Sequence, residues 1–183
     1  MLTLCSHRIQ QLRRIKNLLS ISFFAFLFLA NKSTFAQCSS PVNVFPYSQD
    51  FESTDGGWTR SSSLHWEWGT IVPGAKPVIT AAGGGQKCWV VGGLSGSNYA
   101  SGTSYLQSPC FDFTTLVNPE LSFKIAYQTE SGWDGVKLEY SIDQGSNWTA
   151  LGSTNSNTNC QGLNWYNTTS IRYIGNNNGW SGD

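Results

Sequence analysis

The sequence predicts an all-β protein, an antiparallel β-sandwich of jelly-roll type, and three observations carry that prediction. Short segments of strict apolar–polar alternation recur along the chain. Between them lie turn residues: the chain has 19 glycines and is rich in Ser, Thr and Asn, which compete with helix interiors through local backbone hydrogen bonds. After Ala36 no helical periodicity persists beyond about two turns. Aromatics at 14% outweigh charged residues at 12%, the reverse of a solvated disordered chain.

The first 36 residues read as a secretory signal peptide. Residues 1–17 carry Arg8, Arg13, Arg14 and Lys16 with no acid, and the apolar run Leu18 to Ala30 follows. Small residues at Thr34 and Ala36 then mark a cleavage site that exposes Gln37. Thirteen apolar residues reach only ~20 Å as a helix, short of the ~30 Å hydrocarbon core, so no stable membrane span is expected after cleavage. The whole chain is formally neutral, with 11 basic and 11 acidic residues. Removing the leader takes five of the basic residues and no acid, leaving residues 37–183 at net −5. No Lys/Arg cluster remains to bind nucleic acid.

Within 37–183, Glu120 to Gln128 predicts a strand with Leu121, Phe123, Ile125 and Tyr127 on its inner face. Val136 to Ser141 predicts another, with Val136, Leu138 and Tyr140 inward. Asp143 and Gly145 suit a hairpin turn, and Trp148 to Leu151 is the returning strand. Shorter candidates are Tyr47–Glu52, Leu64–Thr70, Cys88–Val91, Ser104–Ser108 and Ser170–Ile174.

Four cysteines remain after the leader: Cys38, Cys88, Cys110 and Cys160. Export permits disulfides, and four cysteines allow three connectivities. Cys88 and Cys110 both border strand-like segments, which favours that pair and leaves Cys38 for Cys160. No C-x-x-C spacing suggests zinc.

Catalytic patterns are missing from the sequence. His65 is the one histidine beyond the leader, and its alternation with Glu67 reads as an outward strand position. No HExxH, P-loop, GxSxG or EF-hand spacing occurs. The carboxylates single out no acid–base pair, so this chain is expected to be no enzyme. Glu52 and Asp55, at a strand end and in the loop after it, are oxygen donors suited to one Ca²⁺, though nothing requires a cofactor. Among eight tryptophans, Trp133 and Trp180 lie in polar, Gly-rich stretches and are the expected exposed binding surface.

The order of segments resembles the MAM-like jelly-roll modules of secreted surface proteins and proteases, especially those of gliding bacteria with type IX secretion. The matching residues are Asp50-Phe51-Glu52 with Gly57-Trp58, and Trp66-Glu67-Trp68-Gly69-Thr70. They continue through Tyr105 to Phe113, Leu121-Ser122-Phe123, Leu138 to Asp143, Gly145 with Trp148, and Asn164-Trp165-Tyr166. The resemblance covers Phe45 to Trp180. It implies a non-catalytic adhesion or protein-interaction module, secreted or at the cell surface, whose partner is a protein or a glycan. Glu52 matches the family's first cation ligand, whose partners come from a final strand with an Ile-Asp-Asp type ending. That ending is missing, so residues 37–183 are expected to form a sandwich without its last strands, an open edge included. Two other readings stand beside this one: a carbohydrate-binding module using Trp133 and Trp180, and the accessory N-terminal domain of a larger secreted hydrolase.

Overall fold

The computed structural model describes residues 2–4, 38–61, 66–76, 78–96, 102–154 and 165–183. The apolar leader run, His65 and Cys160 lie outside the described residues. Among the described residues the protein is all-β: strands are joined by turns, and the only helical element is a short 3₁₀ turn. No helix among them is long and apolar enough to cross a membrane.

The strands are β1 (Leu2–Leu4), β2 (Thr59–Arg60), β3 (Trp66–Gly69), β4 (Cys88–Val91) and β5 (Leu106–Gln107). They continue as β6 (Leu121–Phe123), β7 (Glu139–Tyr140), β8 (Thr149–Ala150), β9 (Thr168–Ile171) and β10 (Asn177–Gly179), with the 3₁₀ turn η1 (Arg172–Ile174) between the last two. All pairings between them are antiparallel, in the two-stranded ladders β1–β6, β2–β5, β3–β4, β7–β8 and β9–β10. Hydrogen bonding therefore links strands in pairs, and two continuous sandwich layers are not drawn by the ladders of the described residues.

The alternation places its residues well at strand centres and less well at strand ends. Phe123, Ile125, Tyr127, Val136 and Leu138 all pack against the central cluster, as their period of two requires. Leu121 and Tyr140, at the outer ends of those segments, are instead exposed. The hairpin forms where expected, with Glu139 opposite Ala150 and Tyr140 opposite Thr149. Gln144 and Gly145 turn the chain at φ 60° and 82°.

Asp143 organises that turn. Its carboxylate accepts from the Asn147 backbone N–H (2.8 Å), the Asn147 side-chain amide (2.6 Å) and the Ser141 hydroxyl (2.8 Å). These donors, the Asn147 amide first, hold its pKa down at about 2. A lowered folded-state pKa stabilises above the ordinary carboxyl range and is lost as pH falls through the folded value. The turn should therefore keep its full stabilisation from neutral pH down to the ordinary carboxyl value of 3.8, and lose it progressively as pH falls through about 2. An NMR titration of the Asp143 carboxyl checks this, and a midpoint at an ordinary aspartate value would refute it.

Residues 47–52, predicted as a strand, are irregular. The Phe51 N–H is taken by Gln49 Oε1 (2.7 Å) and the Glu52 N–H by Asp50 Oδ1 (3.0 Å), while Phe51 turns to φ 64°. Side chains have captured the amides a ladder would need.

The central cluster is built on Trp180 (1% exposed) and Tyr166 (5%). Tyr166 stacks on Trp165 (centroids 4.5 Å) and meets Trp180 edge-on (4.6 Å), and Phe123 also points edge-on at Trp180 (6.0 Å). The Tyr166 hydroxyl accepts the Leu138 N–H at 2.8 Å, so this buried ring keeps a polar partner. Burial raises its pKa above the ordinary tyrosine value in spite of that bond.

Trp180 therefore corrects the expectation of an exposed residue in a polar loop. Backbone bonds in both directions join Val136 and Trp180 at 2.9 Å. Gly135 and Gly179 flank that bridge, and a Cβ on Gly135 would strike the Trp180 carbonyl, one on Gly179 the Val136 carbonyl. The glycines of this stretch admit a close backbone approach, and the approach buries the indole.

A disulfide joins Cys38 to Cys110, with Cα atoms 5.4 Å apart. The pairing of Cys88 with Cys110 is thus corrected, as is that of Cys38 with Cys160. Cys88 is a free thiol in β4 opposite Gly69. Cys110 belongs elsewhere: the N-terminal segment runs parallel beside it through the Val42–Phe111 bridge, with the Val42 N–H bonded to the Cys110 carbonyl (2.8 Å). Burial, with the Glu52 charge second, raises the Cys88 pKa, so the thiol form is favoured at neutral pH.

Candidate functional site

Two aromatic surfaces stand out on this frame, and Trp133 belongs to the first. The loop 129–135 is held by Ser181, whose side chain is buried. The Ser181 hydroxyl accepts the Gly132 N–H (2.9 Å) and donates to the Asp134 carbonyl (2.6 Å). Asn167 clamps the Ser181 backbone from the other side, donating to its carbonyl (2.8 Å) and accepting its N–H (3.0 Å). Further bonds from the Thr129 N–H to the Gly182 carbonyl, and from the Gly182 N–H to Thr129 Oγ1, close the loop at its start.

Upon this support the loop docks against η1. The Arg172 N–H donates to the Gly132 carbonyl (3.0 Å) and the Tyr173 N–H to the Trp133 carbonyl (2.9 Å). The Arg172 guanidinium lies 4.5 Å from the Trp133 ring centroid, and the Tyr173 ring lies 5.9 Å from it at 44°. Trp133 is 40% exposed and Tyr173 62% exposed. The result is an aromatic–cationic platform fixed by backbone bonds and open to solvent. Trp133 was legible as a candidate in its Gly-rich loop; Arg172 and Tyr173 were not, because nothing in the sequence brings η1 beside that loop.

The second surface is a cleft of about 540 Å³ lined by Trp58, Trp68 and Trp89, with Asp55, Arg60 and Glu67 among its polar residues. Trp68 and Trp89 are direct cross-strand partners in β3–β4 and so share a face. Their indole N–H groups are spent on the loop before β2: Trp68 Nε1 donates to the Phe51 carbonyl (2.8 Å) and Trp89 Nε1 to the Asp55 carbonyl (3.2 Å). The Trp58 Nε1 is buried with no hydrogen-bond partner among the described residues. Glu67 Oε2 accepts the Leu94 N–H (2.7 Å), and the Arg60 guanidinium donates to the Trp66 carbonyl.

Glu52 and Asp55 each hold backbone amides. Glu52 Oε1 accepts two successive backbone amides, Gln86 and Lys87, each at 2.8 Å. Lys87 Nζ returns a bond to the Glu52 carbonyl oxygen (2.9 Å). Gly85, at φ 66°, makes room for this, since a Cβ there would overlap the Glu52 carboxylate. The glycine-rich stretch 81–86 is thus a cradle for a side chain of the same protein. Asp55 Oδ1 caps its own turn through the Gly57 N–H (2.9 Å). Among the described residues no three His, Cys, Asp or Glu side chains gather as a metal site would require. Glu52 Oε1 and Asp55 Oδ1, two of the oxygens that the sequence offers to a Ca²⁺, accept backbone amides.

Comparison with protein-family profiles, with curated proteins and with solved structures finds no match in any of the three.

Proposed function

We propose that the chain is a non-catalytic extracellular binding module of the MAM-like kind, exported by its leader and engaging a protein at the cell surface. The observation that carries this reading is the platform of Trp133, Arg172 and Tyr173. Tryptophan, tyrosine and arginine are the residue types that dominate the binding energy of protein interfaces, and they do so when held rigidly and then desolvated. Here the three are adjacent and preorganised by backbone bonds. The Cys38–Cys110 disulfide fits an oxidising compartment.

Two measurements test it. Cell fractionation should find the chain outside the cytoplasm with Cys38 and Cys110 oxidised. Purified chain should bind the surface of its producing cells, and Trp133→Ala or Arg172→Ala should weaken that binding at least tenfold, in line with hot-spot losses above about 1.4 kcal/mol. Because Trp133 is half-exposed and its loop is held by Ser181, Trp133→Ala should change folding stability by no more than about 1 kcal/mol. A cytoplasmic chain with reduced cysteines, or cell binding indifferent to both substitutions, would overturn the reading.

A further inference from the structure

We infer that removal of the leader uncovers a self-association edge: the processed chain pairs β6 with β6 of a second copy, antiparallel about Ser122. The inference rests on the proposed export, in which the leader is cleaved, and it uses none of the platform residues. In the unprocessed chain the leader residues Leu2–Leu4 form β1, which lies antiparallel on β6. Leu2 is opposite Phe123, Thr3 opposite Ser122 and Leu4 opposite Leu121. Among the described residues β1 is the only strand laddered to β6. Cleavage after Ala36 takes β1 away and leaves β6 with unpaired N–H and C=O groups, a template for another strand.

The sequence of β6 selects the occupant. The strand seated on it reads Leu2-Thr3-Leu4, apolar–hydroxyl–apolar, and β6 itself reads Leu121-Ser122-Phe123, the same order. A second β6 turned about Ser122 therefore offers what β1 offers. Because that register is symmetric, residues that face the edge meet residues that face the edge, as an antiparallel ladder requires. Leu121, which is 48% exposed, then lies opposite Phe123 of the second copy and gains an apolar cross-strand neighbour. On the other face Glu120, Ser122 and Lys124 are all exposed. The same register sets Glu120 against Lys124 of the second copy, twice by symmetry, and only this register does so. Glu120 belongs to no ion pair among the described residues. Lys124 Nζ donates to the Gly83 carbonyl (2.5 Å) and keeps two further donors for the carboxylate. So short a ladder makes a concentration-dependent dimer, not an obligate one.

The test uses the processed chain recovered from its producing cells, with intact mass identifying cleavage and sedimentation velocity following a concentration series. A reversible monomer–dimer equilibrium is expected, with amide exchange across Leu121–Phe123 slowing as the dimer forms. Glu120→Lys alone and Lys124→Glu alone each set like charges against each other, and each should weaken dimerisation roughly tenfold. An equimolar mixture of the two variants should recover it as a heterodimer, because opposite charges then meet at both ends of the ladder. If Lys124→Glu fails to fold through loss of its bond to Gly83, the wild-type series and Glu120→Lys still decide. The inference alone would be overturned by a processed chain that stays monomeric, retains the cleaved leader peptide or pairs only with a different protein. Dimerisation indifferent to Glu120→Lys would overturn it as well. A chain recovered with residues 1–36 still attached would overturn both the inference and the export on which it rests.

Discussion

Trp180→Ala is expected to destabilise the protein by about 3–5 kcal/mol, the range for removing a buried large aromatic. The indole is 1% exposed and contacts three other rings, Phe123, Trp165 and Tyr166, all edge-on. Alanine would remove those contacts and leave a cavity that the backbone cannot close, because Trp180 is bridged to Val136 on both N–H and C=O. Against a total stability of about 5–15 kcal/mol for an ordinary domain, such a loss is close to unfolding. Urea unfolding followed by circular dichroism measures it, with Trp133→Ala as the matched control. If the two variants had equal midpoints, Trp180 would not be the centre of the core.

Removing the Cys38–Cys110 bridge comes second. The bond closes a loop with a sequence separation of 72, for which the loss of unfolded-state entropy is worth about 4 kcal/mol. What it secures locally is the segment 38–47, which otherwise depends on the Val42–Phe111 bridge and on ring contacts of Tyr47 with Phe111 and Phe45 with Phe113. The Cys38→Ser/Cys110→Ser double variant should lower the urea midpoint accordingly and accelerate amide exchange of Val42 and Asp112, whose N–H groups make the bridge. A change below about 1 kcal/mol would show that the loop is already closed in the unfolded chain.

The burial of Trp180 and the Cys38–Cys110 pairing also mark where sequence reasoning stops. Alternation is a local property, and it correctly turned Phe123, Ile125, Tyr127, Val136 and Leu138 inward. Cys88–Val91 emerged as a strand with the expected bounds because β-branched and aromatic residues fit a pleated, half-buried surface. Trp180 reads as exposed because its neighbours are Gly179, Ser181 and Gly182, and small polar neighbours usually mean solvent. The missing Cβ of Gly179 instead permits the backbone contact with Val136. Cysteine pairing and the opposition of Trp68 to Trp89 depend on which strands meet, and spacing along the chain does not encode that. Glu52 illustrates the same limit: that its Oε1 accepts the amides of Gln86 and Lys87, more than thirty residues away, is not encoded in its neighbours along the chain.

The burial of Trp180 also sets a schedule. Phe123, Ile125, Tyr127, Val136 and Leu138 leave the ribosome well before the indole that covers them. Until residue 180 has been made, the cluster has only Tyr166 of its two buried rings, and the loop 129–135 lacks the hydroxyl of Ser181 that fastens it. Core and platform are therefore completed together, when the chain has been made through Ser181. A translocation machinery that accepts only unfolded polypeptide would find this order of events convenient. Ribosome-stalled chains ending before and after Ser181 should differ sharply in protease resistance.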